Sequence, residues 1–168
     1  HEQSGDVGNL PVWDGDLYLE LHRGTYTSQS WLKMANREAE DDLRTIEAMG
    51  AGVDGGVDLE GLRASLDETW KLVLLNQFHD ILPGSSINKV YEDARSQYDR
   101  IEATCATQFD LVATTWRETI GGGEIFFNPS STQRSEVVEL DGAPVWIANV
   151  PSIGVRALDA AEIVAEPE

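Results

Sequence analysis

The sequence is poor in cysteine and in basic residues, and each scarcity narrows the classes of protein to consider. The single cysteine, Cys105, excludes a disulfide within the chain and favours a reducing compartment, here the cytoplasm. Twelve basic residues stand against 30 acidic ones, which gives a formal net charge of −18. A surface this acidic repels nucleic-acid phosphates and anionic lipid headgroups, so we expect neither nucleic acid nor a membrane as a partner.

Long apolar runs and histidines are scarce as well. No apolar run approaches the roughly 20 residues that a membrane-spanning helix needs. No secretory signal is recognisable, and because the chain begins at His1 rather than at methionine, we expect the native N-terminus to lie upstream. Only three histidines are present. Since zinc takes three or four ligands, any single histidine here is a weak metal motif by itself.

Apolar residues recur at intervals of three or four along most of the chain, and this periodicity predicts three helices. We place them at about 29–49, 58–80 and 86–118. Because the helices are amphipathic and their connections short, they should bury their apolar stripes against one another in a three-helix bundle. The longest stripe, on the third helix, comprises Ile87, Val90, Tyr91, Ala94, Tyr98, Ile101, Cys105, Phe109, Val112 and Trp116.

Short polar side chains precede each helical pattern and are the predicted N-caps. These are Ser28 or Ser30 for the first helix, Asp58 for the second, and Ser85 or Ser86 for the third. Near the end of the second helix the apolar stripe broadens over residues 72–75, which predicts burial on more than one side.

Strand patterns flank the predicted bundle. Alternating leucines over 17–21 predict a strand before it, and 125–127, 135–140 and 145–150 predict strands after Gly121-Gly122-Gly123. The C-terminal strands are too few to close a sandwich and would leave exposed edges, so we expect more sheet to follow in a longer protein.

His79 and Asp80 are the candidate functional residues, at the end of the second helical pattern. They lie in an apolar run with Asn76 and Gln77, where burying polar groups costs free energy unless each finds a partner. The imidazole could bind a metal beside a carboxylate that binds a hydroxyl group. Alternatively, the histidine interacts with the helix dipole and the aspartate caps the next turn. The spacing alone leaves both interpretations open.

The segment around His79 resembles the glycoside hydrolase family 38 α-mannosidases, in their cytosolic and bacterial branch. It reads LLNQFHDILPGSSI at 74–87, preceded by Trp70-Lys71 and followed by Val90-Tyr91. Further segments resemble the same family in order along the chain: GDLYLELHRGTYTS at 15–28, NRE at 36–38, and FNP at 127–129 with RSEVV at 134–138.

The resemblance implies a domain order of β/α catalytic domain, three-helix middle domain and large β domains. We therefore expect 1–27 to be the end of the catalytic domain, 28–120 the middle domain, and 121–168 a linker with the start of a β domain. The expected fold class is mainly α: a three-helix bundle with a short N-terminal segment and a few C-terminal strands.

The resemblance also implies chemistry. That family holds zinc with two histidines and two aspartates, and its pattern makes His79 one ligand and Asp80 a contact to substrate hydroxyls. The nucleophile, the acid/base residue and the other ligands lie in the catalytic domain, which no segment here matches. The chain would thus be an internal part of a zinc-dependent retaining α-mannosidase acting on terminal α-mannosides, inactive in isolation. Its partners would be the glycan and the rest of the parent chain, with the oligomeric state left open.

Two other classes compete with this interpretation. A metal-dependent His-Asp phosphohydrolase needs several more histidine and aspartate ligands on neighbouring helices, and would bind one tight zinc per chain. A non-enzymatic helical binding module needs an exposed apolar or charged face outside the three core stripes. The roles of two further groups of residues stay open. His22 and Arg23 would either contact substrate or hold the catalytic domain against the helices. Trp13, Tyr26 and Trp31 would either stack on sugar rings or pack within the protein.

Overall fold

The computed structural model describes residues 11–15, 20–53, 55–140 and 142–157. A short 3-10 helix, Glu20–His22, comes first. The three long helices are α1 Ser30–Gly52, α2 Leu59–Asn76 and α3 Asn88–Thr119. Four strands follow: β1 Ile125–Asn128, β2 Arg134–Leu140, β3 Ala143–Val150 and β4 Gly154–Ala157. The predicted fold class, three packed helices followed by a few strands, is confirmed.

The main hydrophobic core lies between the three helices. Most of its buried members come from the predicted stripes, including Leu32, Leu43 and Ile46 of α1, Leu62, Leu66 and Val73 of α2, and Tyr91, Tyr98, Ile101 and Val112 of α3. Met49, Val53 and Ala113 are also buried there and were not predicted. Two members of the third stripe are exposed instead of buried. Ile87 is exposed just before α3, and Phe109 is 42% exposed on its surface.

The end of α2 differs from the prediction in two ways. The helix stops at Asn76 rather than near residue 80, and residues 77–84 form turns. The broadened apolar stripe is not enclosed, because Leu74 and Leu75 are 58% and 52% exposed. The prediction that this end is buried on more than one side is therefore wrong for the chain as it stands. The α2 face opposite the core presents apolar side chains to solvent.

The N-cap predictions are confirmed only for α2, where the Asp58 carboxylate accepts a hydrogen bond from the Gly61 backbone N–H at 3.1 Å. The serine caps are wrong. Gln29 precedes α1 in a left-handed conformation with φ 49°, and Ile87 precedes α3, and neither forms a side-chain cap. The Ser86 hydroxyl instead donates to the Asp80 carbonyl oxygen at 2.5 Å.

The strand predicted over 17–21 is only partly testable. Residues 17–19 lie outside the described residues, and Glu20 and Leu21 belong to the 3-10 helix, so that end of the prediction is wrong. In this segment the Arg23 guanidinium pairs with the Glu20 carboxylate at 2.9 Å, and both side chains are largely exposed.

The C-terminal strands form two small antiparallel sheets, β1 with β4 and β2 with β3. Asn128 joins them at the end of β1. Its side-chain amide donates to the carbonyl oxygens of Thr132, Val150 and Pro151 at 2.8, 3.3 and 3.0 Å. Its oxygen accepts hydrogen bonds from the N–H and hydroxyl of Ser130. Because every polar atom of this buried side chain has a partner, the amide stabilises the junction between the sheets.

Candidate functional site

A turn at the end of α2 carries both candidate residues. Backbone hydrogen bonds shape it, with the Ile81 N–H donating to the Phe78 carbonyl at 2.8 Å and the Gly84 N–H to the Ile81 carbonyl at 3.0 Å. We call residues 77–86 the site turn. Because α2 has already ended at Asn76, the side chains on this turn no longer follow the helical repeat. Phe78, His79 and Asp80 are exposed, whereas Ile81 and Leu82 pack against the bundle core.

His79 and Asp80 lie side by side on the site turn. The His79 Nε2 atom is 3.4 Å from Asp80 Oδ2, and the side chains are 77% and 60% exposed. The His79 ring also packs on Phe78, with ring centroids 4.2 Å apart. The sequence had suggested that these polar groups are buried in an apolar run, and this is wrong. Both groups face solvent and are available to a ligand.

The other two polar residues of the run do point inward, and the amide nitrogen of each donates two hydrogen bonds. The Asn76 side-chain amide is 1% exposed and donates to the Leu72 carbonyl at 2.9 Å and to Gln97 Oε1 at 2.7 Å. These bonds offset the cost of burying the amide, and they tie the end of α2 to α3 directly before the site turn.

Gln77 makes the equivalent connection to α1. Its Nε2 donates to Asn36 Oδ1 at 3.0 Å and to Glu40 Oε1 at 2.7 Å. The same Asn36 oxygen lies 3.4 Å from the Tyr98 hydroxyl of α3. Burial, followed by the Glu40 carboxylate, raises the pKa of Tyr98 to about 12, so the phenol remains a neutral donor. The site turn therefore begins from a polar layer that involves all three helices.

Two serines support the Asp80 side of the turn. The Asp80 carbonyl accepts from the Ser86 hydroxyl, and its carboxylate Oδ1 lies 3.4 Å from the Ser85 hydroxyl. Asp80 thus does not cap α3, whose N-cap position is occupied by Ile87. The contacts with Ser85 and Ser86 fit the alternative interpretation, in which Asp80 caps the turn, and they leave its side chain 60% exposed.

Sequence reasoning missed Lys33 of α1. Its Nζ donates to the Ser28 carbonyl at 2.6 Å and to the Leu82 carbonyl at 3.0 Å. Partial burial lowers the pKa of Lys33 from its ordinary value. No local pattern predicts this role, because Leu82 is 49 residues away along the chain. Gln97 and Glu40 were missed for the same reason.

Trp31 packs within the bundle instead of presenting a free face. Its Nε1 donates to Gln29 Oε1 at 2.7 Å, and its ring lies edge-on to Tyr98 at 6.3 Å. The Arg95 guanidinium stacks over it, 4.0 Å from the ring centroid. Such a stacked, internally bonded indole supports the packing interpretation of Trp31 over sugar stacking.

A metal ion would find part of a site here. An imidazole nitrogen and a carboxylate oxygen are both zinc donors, and two ligands of one tetrahedral zinc stand about 3.3–3.5 Å apart. Within the described part of the chain, no group of three or more histidine, cysteine, aspartate or glutamate side chains is placed to hold a metal. His79 thus fits zinc only as one ligand of a sphere that other residues complete.

A groove lies between α1 and α3, away from the site turn. Its volume is about 400 Å³, and Glu38, Asp42, Tyr98 and Glu102 are among the residues that line it. Burial and the neighbouring carboxylates, Glu38 first among them, raise the pKa of Asp42. None of its lining residues belongs to the site turn, so the groove is not part of the site.

Comparison with known proteins defines the class. The family model "Alpha mannosidase middle domain" matches residues 20–114, which include all of α1 and α2, the site turn and most of α3. Among solved structures, an alpha-mannosidase from Enterococcus faecalis V583 superposes with a TM-score of 0.57 and 23% identity, covering 70% of this chain and 14% of that one. A glycosyl hydrolase family 38 protein from Enterococcus faecalis gives a TM-score of 0.54 at 21% identity, covering 70% and 15%. These two likenesses concern the fold.

Curated relatives agree in sequence. The chain is 36% identical over 156 residues to alpha-mannosidase 2C1 of Mus musculus, covering 89% of this chain and 15% of that protein. It is 44% identical over 97 residues to alpha-mannosidase G of Dictyostelium discoideum, covering 57% and 9%. The chain belongs to glycoside hydrolase family 38, within the part that forms the alpha-mannosidase middle domain. It thus spans about a seventh of the length of relatives such as the mouse protein.

No helix in the described residues is both long and apolar enough to cross a membrane.

Proposed function

We propose that the chain is the middle part of a zinc-dependent retaining α-mannosidase that hydrolyses terminal α-mannosides. His79 supplies one zinc ligand, and Asp80 accepts a hydrogen bond from a substrate hydroxyl. One observation carries this proposal: the two side chains lie 3.4 Å apart, exposed to solvent, on a turn whose start is anchored by the amide nitrogens of Asn76 and Gln77. Membership of the alpha-mannosidase family supplies the substrate class.

An exposed apolar surface beside the site turn supports a docked catalytic domain. Leu74, Leu75 and Phe78 are 58%, 52% and 53% exposed, and they immediately precede His79. We call these three residues the apolar apron. Because each side chain is already about half covered, burying the rest would stabilise an interface by about 0.8–1.5 kcal/mol per residue. In the proposal, the apron packs against the catalytic domain, and residues 1–27, 28–120 and 121–168 keep the division expected from the sequence.

The proposed chemistry divides between this chain and the rest of the enzyme. Zinc, when bound, acts as a Lewis acid that orients and polarises vicinal hydroxyls of the mannoside. The His79 imidazole would bind the metal through a ring nitrogen, and the Asp80 carboxylate would orient the sugar by accepting a hydrogen bond from one of its hydroxyls. The carboxylates that attack the anomeric carbon and donate the proton, about 5–5.5 Å apart in retaining enzymes, belong to the catalytic domain.

A cytoplasmic location is also part of the proposal, because a single free cysteine suits a reducing compartment.

The only cysteine, Cys105, is a buried free thiol. Burial first, and then Asp42, raise its pKa to about 11. A protonated, buried thiol is a poor nucleophile, so Cys105 fills core volume and takes no part in the chemistry.

The isolated 168-residue chain is expected to have no α-mannosidase activity and no tight zinc site. One imidazole and one neighbouring carboxylate do not complete a zinc sphere, and no glycosyl-enzyme can form without the nucleophile. Turnover of an aryl α-mannoside and zinc content should be measured for the pure chain and for the full-length protein, which should be active. Turnover by the pure chain that survives His79→Ala would contradict the proposal.

In the full-length enzyme, Asp80→Asn is expected to retain zinc while weakening catalysis. The change removes one charge-assisted hydrogen bond to substrate, about 1.5–3 kcal/mol, which corresponds to roughly 10- to 150-fold in kcat/KM. Asp110→Asn, on the exposed surface of α3, is the matched control and should change neither quantity. Loss of zinc with Asp80→Asn would make Asp80 a metal ligand instead, and unchanged kcat/KM would remove it from the site.

A further inference from the structure

Lys33 connects two segments that are far apart in the sequence. Its ammonium group donates to the carbonyl of Ser28, at the end of the segment that leads into α1, and to the carbonyl of Leu82, on the site turn. Both acceptors are backbone oxygens in turns, where the carbonyls lack the regular partners of a helix. Lys33 therefore fixes backbone positions on both sides.

Gly84 marks the same junction by close approach. A Cβ atom at this position would lie 2.7 Å from Ser28 Cβ, 2.8 Å from its carbonyl oxygen and 3.0 Å from its carbonyl carbon. The residue also has φ +89°, which only glycine adopts without strain. At residue 84 there is thus no room for a side chain between the site turn and Ser28.

The Ser28 side of the junction is itself held. The Thr27 and Ser28 backbone N–H groups both donate to the Gly24 carbonyl, at 3.1 and 2.8 Å. These hydrogen bonds hold the turn at 24–28 in place, so the Ser28 carbonyl that accepts from Lys33 belongs to an ordered turn. Two anchored turns are joined at one point by a close backbone contact and by a shared cation.

We propose that Lys33 is a positioning residue that, with Gly84, locks the site turn to the 24–28 turn and thereby sets the direction in which His79 and Asp80 project. The lock itself follows from the contacts of this chain. Its consequence for zinc binding and catalysis rests on the proposed function. In this inference Lys33 touches neither metal nor substrate and acts only through the two backbone carbonyls that accept from its Nζ.

The lock is tested on the 168-residue chain by amide hydrogen exchange. Lys33→Met keeps the length of the side chain and removes its charge. The amides of Leu82, Gly84 and Ser28 should then exchange about tenfold faster, because one charged donor no longer holds both turns. Lys71→Met is the matched control, since Lys71 pairs only with Asp67 and Glu68 of its own helix in the contacts described, and it should leave these rates unchanged. Equal rates in wild type and Lys33→Met would overturn the lock.

The positioning role is tested in the full-length enzyme by zinc affinity, measured against a competing chelator on folded protein. Lys33→Met should weaken zinc binding by about 10- to 100-fold and lower kcat, as expected when the support of a ligand is lost. A purely structural role would reduce the folded fraction but leave the affinity of folded enzyme unchanged, and that result would overturn the inference.

Gly84→Ala provides an independent perturbation of the same contact. Gly84→Ala should also weaken zinc binding, because the added methyl group pushes the site turn away from Ser28. If Lys33→Met does not fold, the zinc affinity of Gly84→Ala decides the inference. A wild-type enzyme without zinc or mannosidase activity would contradict the proposed function, whereas the exchange experiment would still decide the lock.

Discussion

Replacing His79 by alanine in the full-length enzyme is expected to remove zinc and α-mannosidase activity together while the bundle stays folded. The side chain is 77% exposed, so its loss leaves no cavity and no unpaired buried group. A ligand lost from the metal sphere should cost more than the 10- to 100-fold typical of supporting residues, that is, more than about 100-fold in zinc affinity. Zinc content, kcat and far-ultraviolet circular dichroism would be measured on the same preparation.

Arg63→Ala is the matched control, because it also removes an exposed side chain, in the first half of α2 and away from the site turn. It should leave zinc content and kcat at the wild-type level. Full zinc and full activity in His79→Ala would eliminate the proposed ligand and leave His79 as a surface residue packed on Phe78. If the alanine variant unfolded, His79→Gln with metal analysis would replace it, because glutamine retains a similar size and polarity.

Replacing Ile101 by alanine is expected to lower the free energy of unfolding by about 2–5 kcal/mol. Ile101 is 1% exposed, in the middle of α3, within the core shared by the three helices. Truncation removes buried methyl groups and leaves a cavity that close-packed helices fill only in part. Denaturant titration followed by circular dichroism measures the loss.

Leu111→Ala on the same helix is the matched control. This leucine is 44% exposed, so the same kind of truncation should cost well under the value at Ile101, on the order of 1 kcal/mol or less. A loss below about half a kcal/mol at Ile101 would show that the α3 stripe is not core. Such a result would also weaken the case for the site, because two residues of the polar layer beneath the site turn lie on this helix. Gln97 accepts a hydrogen bond from Asn76, and the Tyr98 hydroxyl donates to Asn36.

The paired amides connect stability to function. Asn76 bonds Gln97 on α3, and Gln77 bonds Asn36 and Glu40 on α1. The residues that follow them, Phe78 to Asp80, are exposed. The bundle thus supports a turn that is rigid at its base and accessible at its tip, an arrangement that suits ligands placed on a domain which docks against a catalytic partner.

The corrections to the sequence predictions cluster at helix ends. The core stripes were predicted because periodicity is a property of the local sequence, and the residues at positions 32, 43, 62, 73 and 101 repeat it faithfully. The end of α2 was not predicted correctly. The apolar residues 72–75 continue the helical pattern, but the helix ends at Asn76. The residues of the apolar apron resemble core residues in the sequence, yet in the described part of the chain they remain about half exposed.

The sequence by itself determined the three-helix architecture, the resemblance to glycoside hydrolase family 38 and the choice of His79 and Asp80 as candidate residues. Tertiary structure decided which polar residues of the same run face inward and which face outward. Asn76 and Gln77 turn inward because acceptors 21 to 41 residues away meet them, and His79 and Asp80 lie exposed on the turn that follows α2. It also decided that Lys33 and Gly84 hold the site turn, since partners 49 and 56 residues away along the chain leave no trace in a local pattern. A contact between distant segments depends on how whole helices pack, and packing is settled only when the chain has folded.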